Sequence, residues 1–267
     1  MEPKIAVILP NYNMPEAAER TYRDLEGSSQ ADLYIIDNGS DLVDPAEHTR
    51  VLIPKNCQTT GAFMHGIAAA NKSGVDYIAY CFMITSTSMN GGSRQGDRSG
   101  NVGARGIASA VNIFQRAPNL VGYSPTLTKS STSAWKHMFA RQFQPKSPPV
   151  TLLSGQRSTW MIDNICAFWR KDWFDSIGQF DLKMTYAWGI DLETSWKARS
   201  QGRDIVLDDF WQVHKDTDVG YDMGRMNMTA EERTANARAE MAEVLGKKYG
   251  PNWSNIMRTQ FVTEEML

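Results

Sequence analysis

The sequence predicts an α/β protein built on a mixed, mostly parallel sheet flanked by helices. Short apolar runs recur between helical stretches in the first third of the chain, and each run stops at residues that form turns. Strand, helix, strand, helix, strand in that rhythm implies parallel pairing through right-handed crossovers. A length of 267 residues suits one large α/β domain. No internal repeat and no sharp linker divides the chain, so a single domain is expected over 1–267.

The elements follow in order. Ile5–Leu9 is a continuous apolar run closed by Pro10, the pattern of a strand buried on both faces. Pro15 before Glu16, Ala17 and Ala18 opens a helix reaching about Leu25. Leu33–Ile36 is a second buried strand, ending at the turn formers Asp37, Asn38, Gly39 and Ser40. Val51–Ile53 reads as a third strand, Gly61–Asn71 as a small-residue helix and Tyr77–Ile84 as another central strand. From Thr85 to about Gly106 the chain turns to Ser, Gly, Asn and Arg, the composition of a mobile lid or a disordered insertion. Short strands are expected at Leu120–Tyr123 and Thr151–Leu153, with a basic and aromatic stretch over Lys129–Pro149 between them. Thr229 and Glu232 have the spacing of a capping box, for a helix running to Tyr249 and stopped by Gly250 and Pro251.

Composition narrows the function. A formal net charge of −2 argues against a dedicated binder of nucleic-acid backbone. Cys57, Cys81 and Cys166 are scattered without a CxxC spacing, which fits a reducing compartment and suggests no zinc site. The N-terminus lacks a basic region followed by an apolar one, and no apolar run approaches the roughly 20 residues of a bilayer helix. A cytoplasmic location without a transmembrane segment is the expectation. No Gly-x-Gly-x-x-Gly follows the first strand, which disfavours a dehydrogenase.

Ligands of parallel α/β sheets sit beyond the carboxyl ends of the strands, here Pro10–Asn13, Asp37–Asp41 and Ile84–Ser88. Tyr12 offers a ring for a base to stack on, and Asn11 and Asn13 offer donors and acceptors. Asp37 at a strand tip can accept from a uracil imide N–H or a ribose hydroxyl, or serve only as part of a capping cluster. The order Ile-Leu-Pro-Asn-Tyr-Asn, then Ile-Ile-Asp-Asn-Gly-Ser-Asp, resembles the start of the family-2 glycosyltransferases, which have a GT-A fold of Rossmann type. Asn56, Gly61 and Gly66 fall where that family has an Asn-x-Gly…Asn-x-Gly signature, with Gln58 and His65 as departures. Ile177–Asp181 resembles its Gly-Gly-Phe-Asp element, Trp188–Ala198 with Gly202 its Glu-Asp-x-Asp…Arg-Ala…Gly helix, and Val213-His214-Lys215 its closing His.

The resemblance covers residues 4–216 and implies a nucleotide-sugar donor, a UDP-sugar. Residues 1–125 would bind that donor, 126–216 would carry the acceptor and catalytic part, and 217–267 would be a C-terminal helical extension. Pro10, Tyr12, Asn13, Asp37, Asn38, Asn56 and Gly61 would hold the nucleotide. Asp191 would be the general base that deprotonates the acceptor hydroxyl for inverting attack, since a hydroxyl is a poor nucleophile until a carboxylate takes its proton. Glu193 becomes a rival base if the turn there is not helical. His214 would act at the diphosphate, directly or through a metal.

One departure bears on the metal. The family ends its fourth strand with an Asp-x-Asp pair that chelates Mg²⁺ or Mn²⁺; here the strand runs into Thr85, Ser86 and Thr87. Hydroxyls are weak ligands for a hard dication. Three readings stay open: Arg94, Arg98 and Arg105 replace the ion; Asp97 or His214 supplies a ligand; or activity is lost, leaving a sugar-nucleotide or glycan-binding relative. The acceptor is open among a glycan, a lipid-linked saccharide, a protein and a modified base.

Overall fold

The structure, a computed structural model, describes residues 2–84, 87–91, 102–127, 153, 155–215 and 228–259. Strand β1 (Lys4–Asn11) is central, with Ile5 to Leu9 fully buried. It pairs in parallel with β2 (Ala31–Asp37) on one side and β4 (Tyr77–Met83) on the other, and β2 pairs in parallel with β3 (Thr49–Leu52). Helix α1 (Pro15–Leu25) connects β1 to β2, and α2 (Gln58–Lys72) connects β3 to β4.

Alternation along β1 divides the core into two layers. Ala6 and Ile8 face Ala62, Phe63 and Ile67 of α2, in a layer shared with Trp169, Phe174 and Ile190. Ile5, Val7 and Leu9 face Ala18 and Leu25 of α1 and Ile107 and Phe114 of α3 (Val102–Arg116). The sheet is therefore covered on both faces, which is why its strands read as unbroken apolar runs. Packing of α2 on β1 is tight: a Cβ on Gly66 would stand 2.3 Å from Ile8 Cγ2.

The later strands make the sheet mixed. Strand β8 (Cys166–Arg170) runs antiparallel between β4 and β6 (Leu120–Leu127), β6 pairs in parallel with β9 (Asp204–Lys215), and β5 (Thr87–Gly91) pairs antiparallel with β9. Strand β7 (Gln156–Ser158) also pairs antiparallel with β9. The sheet so described follows the order β3-β2-β1-β4-β8-β6-β9-β5, with β7 beside β9. The register of β6 on β9 jumps from Pro125↔Asp208 to Thr126↔Gln212, so Asp209–Trp211 bulge out of the ladder. The remaining helices are α4 (Lys171–Ser176), α5 (Ile190–Ser200), α6 (Ala230–Tyr249) and α7 (Trp253–Thr259).

The mixed sheet with flanking helices is the fold that the sequence predicts, and some elements differ in detail. The span from Thr85 to Gly106 is not one long loop, because β5 and the first turns of α3 lie inside it. Its glycines hid a helix: Gly103 sits where a Cβ would stand 2.2 Å from Asp24 O, so a small residue is what lets α3 start against α1. Thr151 and Leu152 lie outside the described residues, and the strand of that region is β7, a few residues later. Strands β8 and β9 carry no strand signature that sequence reading picked up, since β8 passes directly into α4 with no turn former between. The capping box is present as read, with Glu232 N–H donating to Thr229 Oγ1 at 3.1 Å and Thr229 N–H to Glu232 Oε2 at 2.7 Å. The basic and aromatic stretch 129–146 lies outside the described residues.

Candidate functional site

The loops after β1, β2 and β3 are laced together by side chains of small polar residues. Register places Asn11 beside Asp37 at the carboxyl ends of β1 and β2. Asn11 Nδ2 donates to Asp37 Oδ2 at 3.3 Å, while Ser40 donates its N–H to Oδ1 at 2.9 Å and its hydroxyl to Oδ2 at 2.7 Å. Asp37 is 2% exposed and so acts from inside, folding the loop around its own carboxylate. Asn13, at φ +56°, accepts from the N–H groups of Asp41 and Leu42 at 3.0 and 3.1 Å and donates to Asp41 Oδ1 at 2.9 Å. A left-handed residue is needed there, and Asn is among the few side chains that tolerate it.

Asn38 ties the second loop to the third. Its Nδ2 donates to Asn56 Oδ1 and to Gln58 O, both at 3.1 Å, and its Oδ1 accepts from Cys57 N–H at 3.0 Å. Gly39, at φ +76°, passes so close to the third loop that a Cβ would stand 2.6 Å from Asn56 N. Pro10 lies beyond Ile8↔Phe82, where β1 ceases to pair with β4, so its missing N–H breaks no ladder on that side. Gly61 is in the first turn and a half of α2, against Cys57. Tyr12 and Asn56 keep part of their surface open at the rim. Burial, then the neighbouring Asp41 carboxylate, raises the Tyr12 phenol above its usual range.

Asp191 stands in the first turn of α5, after Gly189 at φ +88°. The turn leading to it is held from two sides. Thr60 of α2 donates its N–H to Thr185 O at 3.2 Å and its hydroxyl to Met184 O at 2.5 Å. Glu240 of α6 accepts from Thr185 Oγ1 at 2.6 Å and from Tyr186 N–H at 3.1 Å, and Arg238 lies over the Trp188 ring at 5.6 Å. Because Thr60 follows Asn56 and Gln58 directly into α2, this clamp joins the Asp191 turn to the laced loops.

Asp191 is half-buried as a residue, and its carboxyl accepts from Leu192 N–H at 2.8 Å. Burial, and after it the charge of Asp163, pushes it up to about 7, while backbone N–H groups pull the other way. Sequence reading missed Asp163. The available signal was a single carboxylate, followed by Asn164, inside the otherwise apolar stretch Trp160–Trp169. The turn is helical, so Glu193 projects elsewhere: its side chain is 2% exposed, and its Oε1 accepts from Tyr249 Oη at 2.6 Å and Lys248 Nζ at 2.8 Å.

His214 is exposed on β9 and lies in register with Ser88 of β5, as Lys215 does with Thr87. Arg105 is exposed in the first turn of α3. Thr85, Ser86, Arg94, Asp97 and Arg98 lie outside the described residues. The described end of β4, Met83 and Ile84, has no carboxylate to offer a cation. Among the described residues, Glu19, Glu47 and His48 form the one group whose ligand atoms lie within 4.8 Å of one another. Glu19 and His48 already bind each other there, with His48 Nδ1 2.7 Å from Glu19 Oε2 and the imidazole stacked on Tyr22. That pairing clips the β2–β3 connection to α1.

With this geometry in place, the chain was compared with known proteins. It superposes on the structure of GalNAc-T7 with UDP, GalNAc and Mn²⁺ with a TM-score of 0.55 over 80% of its length. The fold is GT-A-like. Identity over that match is 10%, and the chain spans 44% of the matched one. No protein-family model matches the sequence, and no curated protein matches it. In the GT-A-like sheet the laced loops lie at the carboxyl ends of the parallel strands, the place where open α/β sheets bind ligands. Among the described residues, no helix is long and apolar enough to cross a membrane.

Proposed function

We propose that the protein is a glycosyltransferase that moves a sugar from a UDP-sugar to an acceptor hydroxyl with inversion, using Asp191 as general base. Asp191 carries the reading: a carboxyl on a half-buried residue, pushed up to about 7 by burial and then by Asp163, in a turn tethered through Thr60 to a cradle at the strand ends. A general base works best when its affinity for the proton matches the working pH. In the cradle, Tyr12 would stack on the base and Asn56 would meet the ribose from the rim. Asp37 would act from behind, with a lone pair on Oδ1 left to accept a uracil imide N–H. GalNAc-T7 was captured with UDP, which agrees with a UDP donor.

The residues at the described end of β4 do not fit a divalent ion, and no step here runs through one. The diphosphate charge that grows as the donor bond breaks needs an offset. Arg105, with Arg94 and Arg98 nearby in sequence, would supply it through charge-assisted bonds.

The same lack of a strand-end carboxylate favours a second reading, a relative that binds sugar nucleotides without turning them over. Thermal-shift titration with UDP-, GDP- and dTDP-sugars, with and without EDTA, separates the cases when paired with an assay of donor hydrolysis and transfer. The expected result is stabilisation by UDP-sugars that EDTA leaves unchanged, turnover above the blank, and a product of inverted anomeric configuration by proton NMR. Stabilisation without turnover would establish the binding reading. Stronger stabilisation by GDP-sugars, or loss of binding in EDTA restored by Mn²⁺, would overturn the donor and cation assignments respectively.

A further inference from the structure

Asp163 lies beside Asp191 because a chain segment is laid along one face of α5. Asp191, Ser195 and Arg199 are spaced four residues apart and therefore share that face. Arg199 donates to Thr159 O, and Ser195 Oγ accepts from Ile162 N–H at 3.3 Å. The segment thus climbs the helix in the opposite direction, Thr159 against Arg199 and Ile162 against Ser195. The next residue, Asp163, reaches the turn that carries Asp191. There the chain bends into β8, with Asp163 Oδ1 accepting from Ile165 N–H at 3.0 Å. Ile165 O in turn accepts from Ile84 N–H at 3.2 Å, which places this bend at the carboxyl end of β4.

We propose that Asp163 and Asp191 work as one carboxylate pair, in which Asp163 is the positioning residue that decides when Asp191 is ready to take the acceptor's proton. The proposal rests on the glycosyltransferase reading above for the identity of that proton. Among the described residues, the contacts that hold the Asp191 turn bring few other charges to it. Arg238 of α6 is stacked on Trp188, Glu240 of α6 is bonded to Thr185 and Tyr186, and α2 contributes the uncharged Thr60. On α5 itself Glu193 points to α6 and Arg199 is engaged by the Thr159 carbonyl. Two carboxylates in one partly desolvated corner do not both ionise readily, so the pair keeps a proton into the neutral range and loses it as a unit. A base of that strength is better matched to a hydroxyl acceptor than an ordinary aspartate.

The test is a pH titration of ¹³C-carboxyl aspartate signals in the full chain, for wild type, Asp163→Asn, Asp163→Glu and Asp191→Asn, together with the pH profile of kcat/KM. In Asp163→Asn the Asp191 midpoint should fall by about one pH unit or more, and the acid limb of the rate profile should fall with it. The high-pH plateau should drop about 3- to 10-fold, because a weaker base is a poorer proton acceptor. Asp163→Glu keeps the charge and should hold the midpoint near the wild-type value. In Asp191→Asn the remaining Asp163 should titrate in the ordinary carboxylate range, a reading that stands even if Asp163→Asn fails to fold. An Asp191 midpoint that stays put in folded Asp163→Asn, or an Asp163 that still titrates near neutral in Asp191→Asn, overturns the proposal. Broadening of both signals by micromolar Mn²⁺ overturns it too, in favour of a cation site. The NMR arm needs no substrate. A coupled pair in a protein without transfer activity would therefore uphold the pair and sink the glycosyltransferase reading instead.

Discussion

Two carboxylates stand two residues apart on α5, and the regions they enter differ in almost every respect. Glu193 enters the seam between α5 and α6, where Tyr249 and Lys248 bond to one oxygen and Lys197 lies 3.8 Å away. The seam continues through Lys248 Nζ to Asp181 at 2.8 Å. There, burial disfavours the Asp181 charge, but the bonds from Lys248 and the Lys183 N–H outweigh it and leave Asp181 below its ordinary range. Asp191 enters the corner at the β8 bend, where burial and, among the described residues, the charge of Asp163 weigh against its ionised form. A cationic and phenolic surround fixes one carboxylate as a strut. Burial, and after it a like-charged neighbour, lets the other keep its proton up to about 7. The position of a side chain around the helix, and not its chemistry, separates the two proton affinities.

The largest effect that would sharpen this contrast is on rate. Asp191→Asn keeps shape and most hydrogen bonds but cannot accept a proton, so turnover should fall on the order of 10²–10⁴-fold with donor affinity within a few-fold. Near-normal transfer by this variant would move the base elsewhere. Glu193→Gln should do the reverse. Removing one member of a buried, bonded set leaves partners unmatched, and a loss of about 2–4 kcal/mol in unfolding free energy is expected from urea titration, with kcat per folded molecule unchanged. A stable Glu193→Gln enzyme with a lost kcat would break the comparison.

A further effect concerns pH and stability. The Asp191 carboxyl holds its proton more tightly in the fold than in the unfolded chain, so its contribution is present at acid pH and is lost as pH rises through about 7. Asp191→Asn removes that loss. It should match wild type in unfolding free energy near pH 4 and exceed it at pH 8. Equal stability at both values would show that the corner holds an ordinary carboxylate.

Much of this architecture was legible in the residues alone. Ile5–Leu9 and Leu33–Ile36 could only be strands covered on both faces, because an apolar run that short, bounded by turn formers, has no other economical fold. Asn13, Asp37, Asn38 and Gly39 announced tight loops at the strand ends, since small polar residues and a glycine are what such loops require. The capping box at Thr229 is equally local, settled by groups three residues apart. What the sequence could not contain is proximity across the chain. The use of Asp37 to hold Ser40 and Asn11, the turning of Glu193 into the α6 seam and the meeting of Asp163 with Asp191 each depend on segments separated in sequence and joined by packing. Local preferences act over a few residues, whereas the proton affinity of a carboxyl is set by whatever charge and burial the whole fold places around it. The tertiary structure therefore decided which acid became a strut and which came to hold its proton toward neutral pH.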